Sequence, residues 1–221
     1  MRQLIVAYCT EGTTDIQFLK TVIERSLHYC LNEYGNIQAE IIGLVHIKGY
    51  GDSFVEKHIN VCRKAVENGA EILCVHTDAD DIDDREVFNH KINPFLTALS
   101  QTNADDCCQI VVPLIPVQEI EAWMMANKHL LKQQMGTTMS DNDLGLQNKP
   151  ESYADPKQAI ENAVSEVRKT MSKRFRNQIS IGQLYEAMGR HLEIQDLMQL
   201  ESFRKYIDNL HHALVQLHIC R

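Results

Sequence analysis

The 221-residue sequence has no apolar run approaching the roughly 20 residues that a membrane-spanning helix requires, so no membrane partner is expected. Its first apolar stretch, Leu4 to Tyr8, is too short for a secretory signal, and Glu11 follows where a small-residue cleavage site would stand. A cytoplasmic protein is expected. No CxxC spacing occurs among the seven cysteines (Cys9, Cys30, Cys62, Cys74, Cys107, Cys108 and Cys220), and their number is odd. A disulfide framework is therefore not indicated, and a zinc site would need distant Cys and His residues to converge. Cys9 and Cys74 lie inside apolar runs, as buried free thiols of a reducing compartment do. An excess of positive charge is also missing. The net charge of −8 argues against a protein that coats nucleic acid by global attraction. There is no internal repeat and no low-complexity tract.

What is present suits one α/β domain, or one domain with an appendage: 44% hydrophobic and 24% charged residues in a chain long enough to bury a core. Charge is unevenly spread. Residues 1–155 hold 12 Lys+Arg against 23 Asp+Glu, a balance of −11, and residues 156–221 hold 10 against 7, a balance of +3. An acidic body with a mildly basic tail is compatible with a metal-dependent enzyme acting on a polyanion, because a divalent cation must neutralise the acids before phosphate approaches.

Apolar runs and amphipathic stretches alternate through the first half. Leu4–Tyr8, residues 37–46, Glu71–His76 and Gln109–Pro116 read as strands. Residues 16–27, 53–68, 85–100 and Glu119–Leu131 read as helices, the first preceded by the turn Glu11-Gly12-Thr13-Thr14-Asp15 with good capping residues. This order predicts a mostly parallel four-stranded sheet flanked by helices. Residues 136–155 lose periodicity and read as a surface loop joining two parts, 1–135 and 156–221. The last part is expected to be a helical C-terminal extension, with helices over 156–171, 180–190, 193–198 and 200–218.

In a parallel sheet, ligands bind beyond the carboxyl ends of the strands. Acidic residues follow three of those ends: Glu11 after the first strand, Asp78 and Asp80 after the third, and Glu119 and Glu121 after the fourth. Carboxylates from separate strand ends can converge on one hard cation. In an extended segment the Asp78 and Asp80 carboxylates would share a face. In a helix Glu119 and Glu121 would point apart, so only one of them is expected to face the site; acids at a helix start also suit the macrodipole. Asp81, Asp83 and Asp84 read as solvated neighbours.

The strand–Glu11-Gly12–helix unit and the Val75-His76-Thr77-Asp78-Ala79-Asp80 unit resemble the two signature motifs of the Toprim domain of topoisomerases, bacterial primases and nucleases of the overcoming-lysogenization-defect type. The likeness is closer to small Toprim-like proteins of bacterial genomes linked to mobile elements and phage defence. Pro116-Val117-Gln118-Glu119-Ile120-Glu121-Ala122-Trp123 contributes to it, and Lys149-Pro150-Glu151 and Asp155-Pro156-Lys157 contribute weakly. The resemblance implies a Toprim/Rossmann-like fold over about residues 1–130. It also implies Glu11 as general acid/base or ligand of a second metal, Asp78 and Asp80 as ligands of Mg²⁺ or Mn²⁺, and Glu119 or Glu121 completing the site. No residue is identified as the covalent tyrosine of a topoisomerase, which favours hydrolysis.

Lys48, in His46-Ile47-Lys48-Gly49, follows the second strand and reads either as a phosphate contact or as an exposed loop lysine. The run Arg168 to Arg176 also carries two readings: Arg174 and Arg176 on a nucleic-acid backbone with Phe175 near a base, or a solvated helix end. Trp123 and His76 read as packing residues, although a His beside metal ligands can orient them. The leading expectation is an Mg²⁺-dependent nuclease with a nucleic-acid substrate. The alternatives are a non-catalytic Toprim-fold module in a multiprotein defence system and a DxD transferase, the last disfavoured by the Glu11-Gly12 turn. An ATPase or other defence-system partner and a homo-oligomeric state stay open.

Overall fold

Strand β1 (Arg2–Cys9) is buried on both sides, which is why it reads as a nearly continuous apolar run. Leu4, Val6 and Tyr8 enter one core cluster, and Ala7 and Cys9 enter another. Strand β3 (Ile72–His76) divides the same way, with Ile72 and Cys74 on the first side and Leu73 and Val75 on the second. Strands β2 (Ala39–His46) and β4 (Val111–Leu114) complete a four-stranded, all-parallel sheet of order β2-β1-β3-β4. The expected α/β class is thus observed in this computed structural model, which describes residues 1–174, 176 and 179–221.

Strand order decides where a ligand can sit. The chain passes from β1 to β2 on one side and returns to place β3 on the other, so the order reverses between β1 and β3. All four carboxyl ends share one rim, and the crevice opens at that reversal.

Helices cover both faces. Helix α1 (Thr13–Tyr34) packs on the first face with α8 (Ile181–His191) and α10 (Glu201–Gln216), and α2 (Phe54–Glu67) lies on the second. The helical stretch expected over 85–100 is α3 (Arg85–Val87), a π turn over Phe88–Ile92, and α4 (Asn93–Leu99). Pro94 accounts for the wide turn, since it offers no N–H and its ring crowds the carbonyl four residues back. The helix expected over Glu119–Leu131 is instead two, α5 (Glu121–Met124) and α6 (Lys128–Gln134). Asn127 interrupts it: its backbone is extended (φ −123°) and its side chain caps Leu130 N at 2.9 Å.

The stretch 136–155 is not all surface. Leu144 and Leu146 are buried in the main cluster, and Glu151 supplies the cap that α10 lacks. Its carboxylate accepts Glu201 N and Ser202 N, both at 3.0 Å, and the Ser202 hydroxyl at 2.5 Å. Ser202 in turn accepts the indole N–H of the buried Trp123 at 2.7 Å, so Trp123 is a core residue. Helices α7 (Pro156–Thr170) and α9 (Ile194–Leu197) complete the C-terminal part. Ile160, Leu197 and Leu210 share one cluster with Leu4 and Val6. All seven cysteines are buried and free, and burial pushes the Cys9 thiol up to about 12. No described helix is long and apolar enough to cross a membrane.

On the second face, His58 is wedged against Phe54 and Phe95, and its Nδ1 donates to Phe54 O at 2.7 Å. Burial pushes its pKa from 6.5 down to about 4, against the Phe54 carbonyl's opposing pull. The folded state therefore binds fewer protons than the unfolded one below pH 6.5, and stability present above that pH is lost as the pH falls through about 4. A shift of this size amounts to about 3 kcal/mol. Urea unfolding at pH 7 and pH 4 should show a loss about 3 kcal/mol smaller in His58→Phe than in wild type. Equal losses in both proteins would refute the assignment.

Candidate functional site

The first loop on the rim is built by the start of α1. Gly12 N donates to Asp15 Oδ2 at 2.8 Å, which closes the turn after β1, and Asp15 in the first helical turn suits the macrodipole. The turn sets Glu11 against the end of β3, where Thr77 Oγ1 donates to Glu11 Oε1 at 2.6 Å. Lys91, carried by the π turn, places its ammonium 3.5 Å from the same carboxylate oxygen and 3.2 Å from Thr77 Oγ1. His76, the preceding residue, faces the other way. Its Nε2 lies 3.2 Å from Asp78 Oδ1 and its Nδ1 lies 3.6 Å from Asp15 Oδ2. His76, the last residue of β3, and Thr77, the next, thus face two sets of carboxylates.

The second loop is laced to the segment after β4. Ala79 N donates to Pro116 O (3.0 Å), Asp80 N to Gln118 O (2.9 Å) and Gln118 N to Asp81 O (3.0 Å). Asp80 (φ 52°) and Gln118 (φ 58°) are both left-handed, a conformation uncommon outside glycine and held here by the paired loops. This corrects the extended-segment argument for Asp78 and Asp80: the chain leaves the extended form at Asp80, so strand alternation does not aim its carboxylate. Asp78 Oδ1 additionally accepts Ile120 N at 3.1 Å, tying the aspartate to the β4 side.

Electrostatics tie these groups together. Burial, then the charges of Asp78 and Glu11, hold the Asp80 carboxyl above its ordinary pKa. Burial would also raise Glu11, but the Thr77 hydrogen bond and the charges of Lys91 and His76 bring it below the usual range. For His76, burial opposes the charged form, and the hydrogen bond and charge of Asp78, with Asp15 and Glu11, outweigh it to raise the pKa. Glu119 and Glu121 are both raised, first by burial; Glu119 also feels Glu121, and each feels Asp78.

The two glutamates differ in their partners. Glu121 is buried, accepts the Tyr185 hydroxyl and lies 3.6 Å from Lys157 Nζ. Glu119 precedes α5 rather than lying within a helix, so the helical argument that only one can face the site does not apply. Its Oε2 is buried with no hydrogen-bond partner among the described residues.

Glu11, Asp78, Asp80, Glu119 and Glu121 therefore belong to one rim, and exposed Lys48 follows β2 on the same rim. The basic run begins elsewhere, with Arg168 and Lys169 in the last turn of α7, about 17 Å along the helix axis from Lys157. There Arg176 Nε donates to Met171 O at 3.1 Å; Arg174 belongs to the same run, and Phe175 lies outside the described residues. Among the loop acids, Asp81 is exposed as expected, but Asp83 pairs with Arg85, and Asp84 holds Lys205 of α10 at 3.1 Å through both oxygens. Lys91, Thr77, Asp15, Tyr185 and Lys157 carry no expected site role in the sequence reading. Alternation carried one residue past β3 was the available signal for Thr77, and nothing local marks Lys91.

Carboxylate oxygens are the donor chemistry that Mg²⁺ and Mn²⁺ prefer. Among the described residues no three His, Cys, Asp or Glu side chains are grouped so that they could hold a metal ion. The donor type nonetheless suits a hard divalent cation, and Glu119 Oε2 is a buried carboxylate oxygen without a hydrogen-bond partner among the described residues. Compared with protein-family models, with curated proteins and with solved structures, the chain matches none.

Proposed function

We propose that this chain is a cytoplasmic, metal-dependent phosphodiesterase that hydrolyses nucleic acid, the activity its Toprim-like motifs imply. The observation that carries the reading is the placement of Glu11 and of the Asp78–Asp80 loop on the two sides of the β1/β3 reversal, joined by the 2.6 Å Thr77–Glu11 hydrogen bond. Asp78 and Asp80 would hold Mg²⁺ or Mn²⁺, with Glu11, Glu119 and Glu121 as further acidic neighbours. When bound, such an ion supplies an activated water and polarises the phosphate.

The remaining roles belong to the chain itself. Glu11, kept ionised by Thr77 and Lys91, is a proton acceptor at the crevice. Lys91, with its side chain 33% exposed, offsets part of the acidic charge a phosphate would meet. Lys48 on the same rim is the proposed contact for the substrate backbone, and Arg174 and Arg176 are more remote ones. Defence against foreign nucleic acid, alongside an ATPase or other partner, is the setting the resemblance suggests.

Chelator-treated protein should leave single-stranded DNA, duplex DNA and RNA intact, and adding Mn²⁺ or Mg²⁺ should produce cleavage of at least one of them. If no metal and substrate pair yields product, hydrolysis is refuted. Partner binding that survives both Glu11→Gln and Asp78→Ala would then favour the non-catalytic module.

A further inference from the structure

His76 is 1% exposed, although its neighbours on the same side of β3, Ile72 and Cys74, are apolar. Burying an imidazole costs free energy that an aliphatic side chain would not. The groups that face it come from three elements. Asp15 belongs to α1, Asp78 follows β3, and Glu11 of the turn after β1 lies within reach of its charge. Its Nδ1, 3.6 Å from Asp15 Oδ2, makes no hydrogen bond among the described residues. Asp15 itself holds Gly12 N.

The ring therefore stands between the two loops that border the β1/β3 reversal. On one side its Nδ1 faces Asp15, the residue that holds Gly12 N, and on the other its Nε2 holds Asp78. Asp78 Oδ1 is held twice, by His76 Nε2 and by Ile120 N. No described bond occupies Asp78 Oδ2.

We infer that His76 is a positioning residue, resting on the function proposed above: through Nε2 it fixes the rotamer of Asp78, the carboxylate that would hold the cation. Removing groups that orient metal-binding carboxylates and imidazoles from behind typically costs about 10–100-fold in metal affinity. Here the orienting group lies within β3, the most fully buried strand of the sheet, so its own position is tightly held.

Two substitutions separate positioning from packing. His76→Gln keeps an N–H donor near the place of Nε2, and His76→Leu fills the space without one. Mn²⁺ affinity, measured by calorimetry without substrate, should fall about 10–100-fold in His76→Leu. His76→Gln should stay within about threefold of wild type, and cleavage at subsaturating Mn²⁺ should follow the same order. A purely structural histidine would change the melting temperature of the folded variants and leave their Mn²⁺ affinity alone; that result overturns the inference.

If His76→Leu does not fold, ¹⁵N NMR of the wild-type imidazole decides. A slowly exchanging Nε2–H that disappears in Asp78→Ala supports the inference. An Nε2–H unaffected by Asp78→Ala, or absent from wild type, overturns it. Wild-type protein that neither binds Mn²⁺ nor cleaves any substrate overturns the nuclease reading and this inference with it. Wild type that does both while His76→Leu matches it overturns the inference alone.

Discussion

Asp78→Asn should lower the rate of Mn²⁺-dependent cleavage about 10²–10³-fold, while the protein remains folded with a near wild-type melting temperature. The substitution preserves shape and removes charge. An asparagine oxygen can still accept Ile120 N, which Asp78 Oδ1 accepts at 3.1 Å, and can still accept from His76 Nε2. The loop laced to residues 116–118 by backbone hydrogen bonds has no reason to move. The missing negative charge is therefore the principal change, and it is missing where the proposed cation would sit. Asp81→Asn is the matched control, an exposed aspartate in the same loop whose Oδ1 accepts the neighbouring Ile82 N. Its rate should stay within about threefold of wild type, as for surface charges away from the reacting groups. Steady-state cleavage at saturating Mn²⁺ provides the comparison. Equal rates for Asp78→Asn and wild type would remove the aspartate pair from the mechanism.

The second large effect concerns stability. Gly189 lies inside α8, and a Cβ built on it would stand 2.7 Å from Phe18 O and 3.1 Å from Phe18 Cα of α1. Both are backbone atoms of a long buried helix and cannot swing aside, so Gly189 is what lets α8 approach α1 closely. Local and tertiary reasoning predict opposite signs. Helix propensity alone makes Gly→Ala stabilising by about 1 kcal/mol. Overpacking at a backbone contact costs about 1–3 kcal/mol for one added methyl, and more for a branched side chain. We expect Gly189→Ala to lower the unfolding free energy by about 2 kcal/mol, and Gly189→Val by more. Urea unfolding measures both. A Gly189→Ala protein more stable than wild type would show that the two helices have room to spare. Because α1 also carries the Glu11–Gly12 turn at its start, separating the helices should weaken Mn²⁺ binding alongside stability.

Much of the fold was legible from local pattern. The apolar runs became β1 to β4, and β1 from Leu4 onward and β3 are apolar along nearly their whole length because both their faces are covered. Amphipathic stretches became α1, α2, α7, α8 and α10, with Asp155 accepting Gln158 N at 2.7 Å ahead of Pro156. Misreadings arose where one residue outweighs periodicity. Asn127 divides a helix by capping its second half, and Pro94 widens a turn. The left-handed Asp80 was equally invisible, because its conformation is imposed by the segment after β4.

For the candidate site, the sequence by itself determined which acids follow strand ends, and chain order placed Glu11, Asp78, Asp80, Glu119 and Glu121 after β1, β3 and β4. Tertiary structure alone decided what those acids face. Thr77 meets Glu11 across 66 residues, Lys91 reaches it across 80, and Tyr185 meets Glu121 across 64. Periodicity reports that a face is covered, because burial repeats with the helix or strand period. It carries no record of which distant side chain does the covering. Strand order, which puts β1 beside β3 and so brings Glu11 to the Asp78 loop, is set by how whole elements pack. That is why His76 reads as a packing residue in the sequence and stands between two carboxylates in the fold.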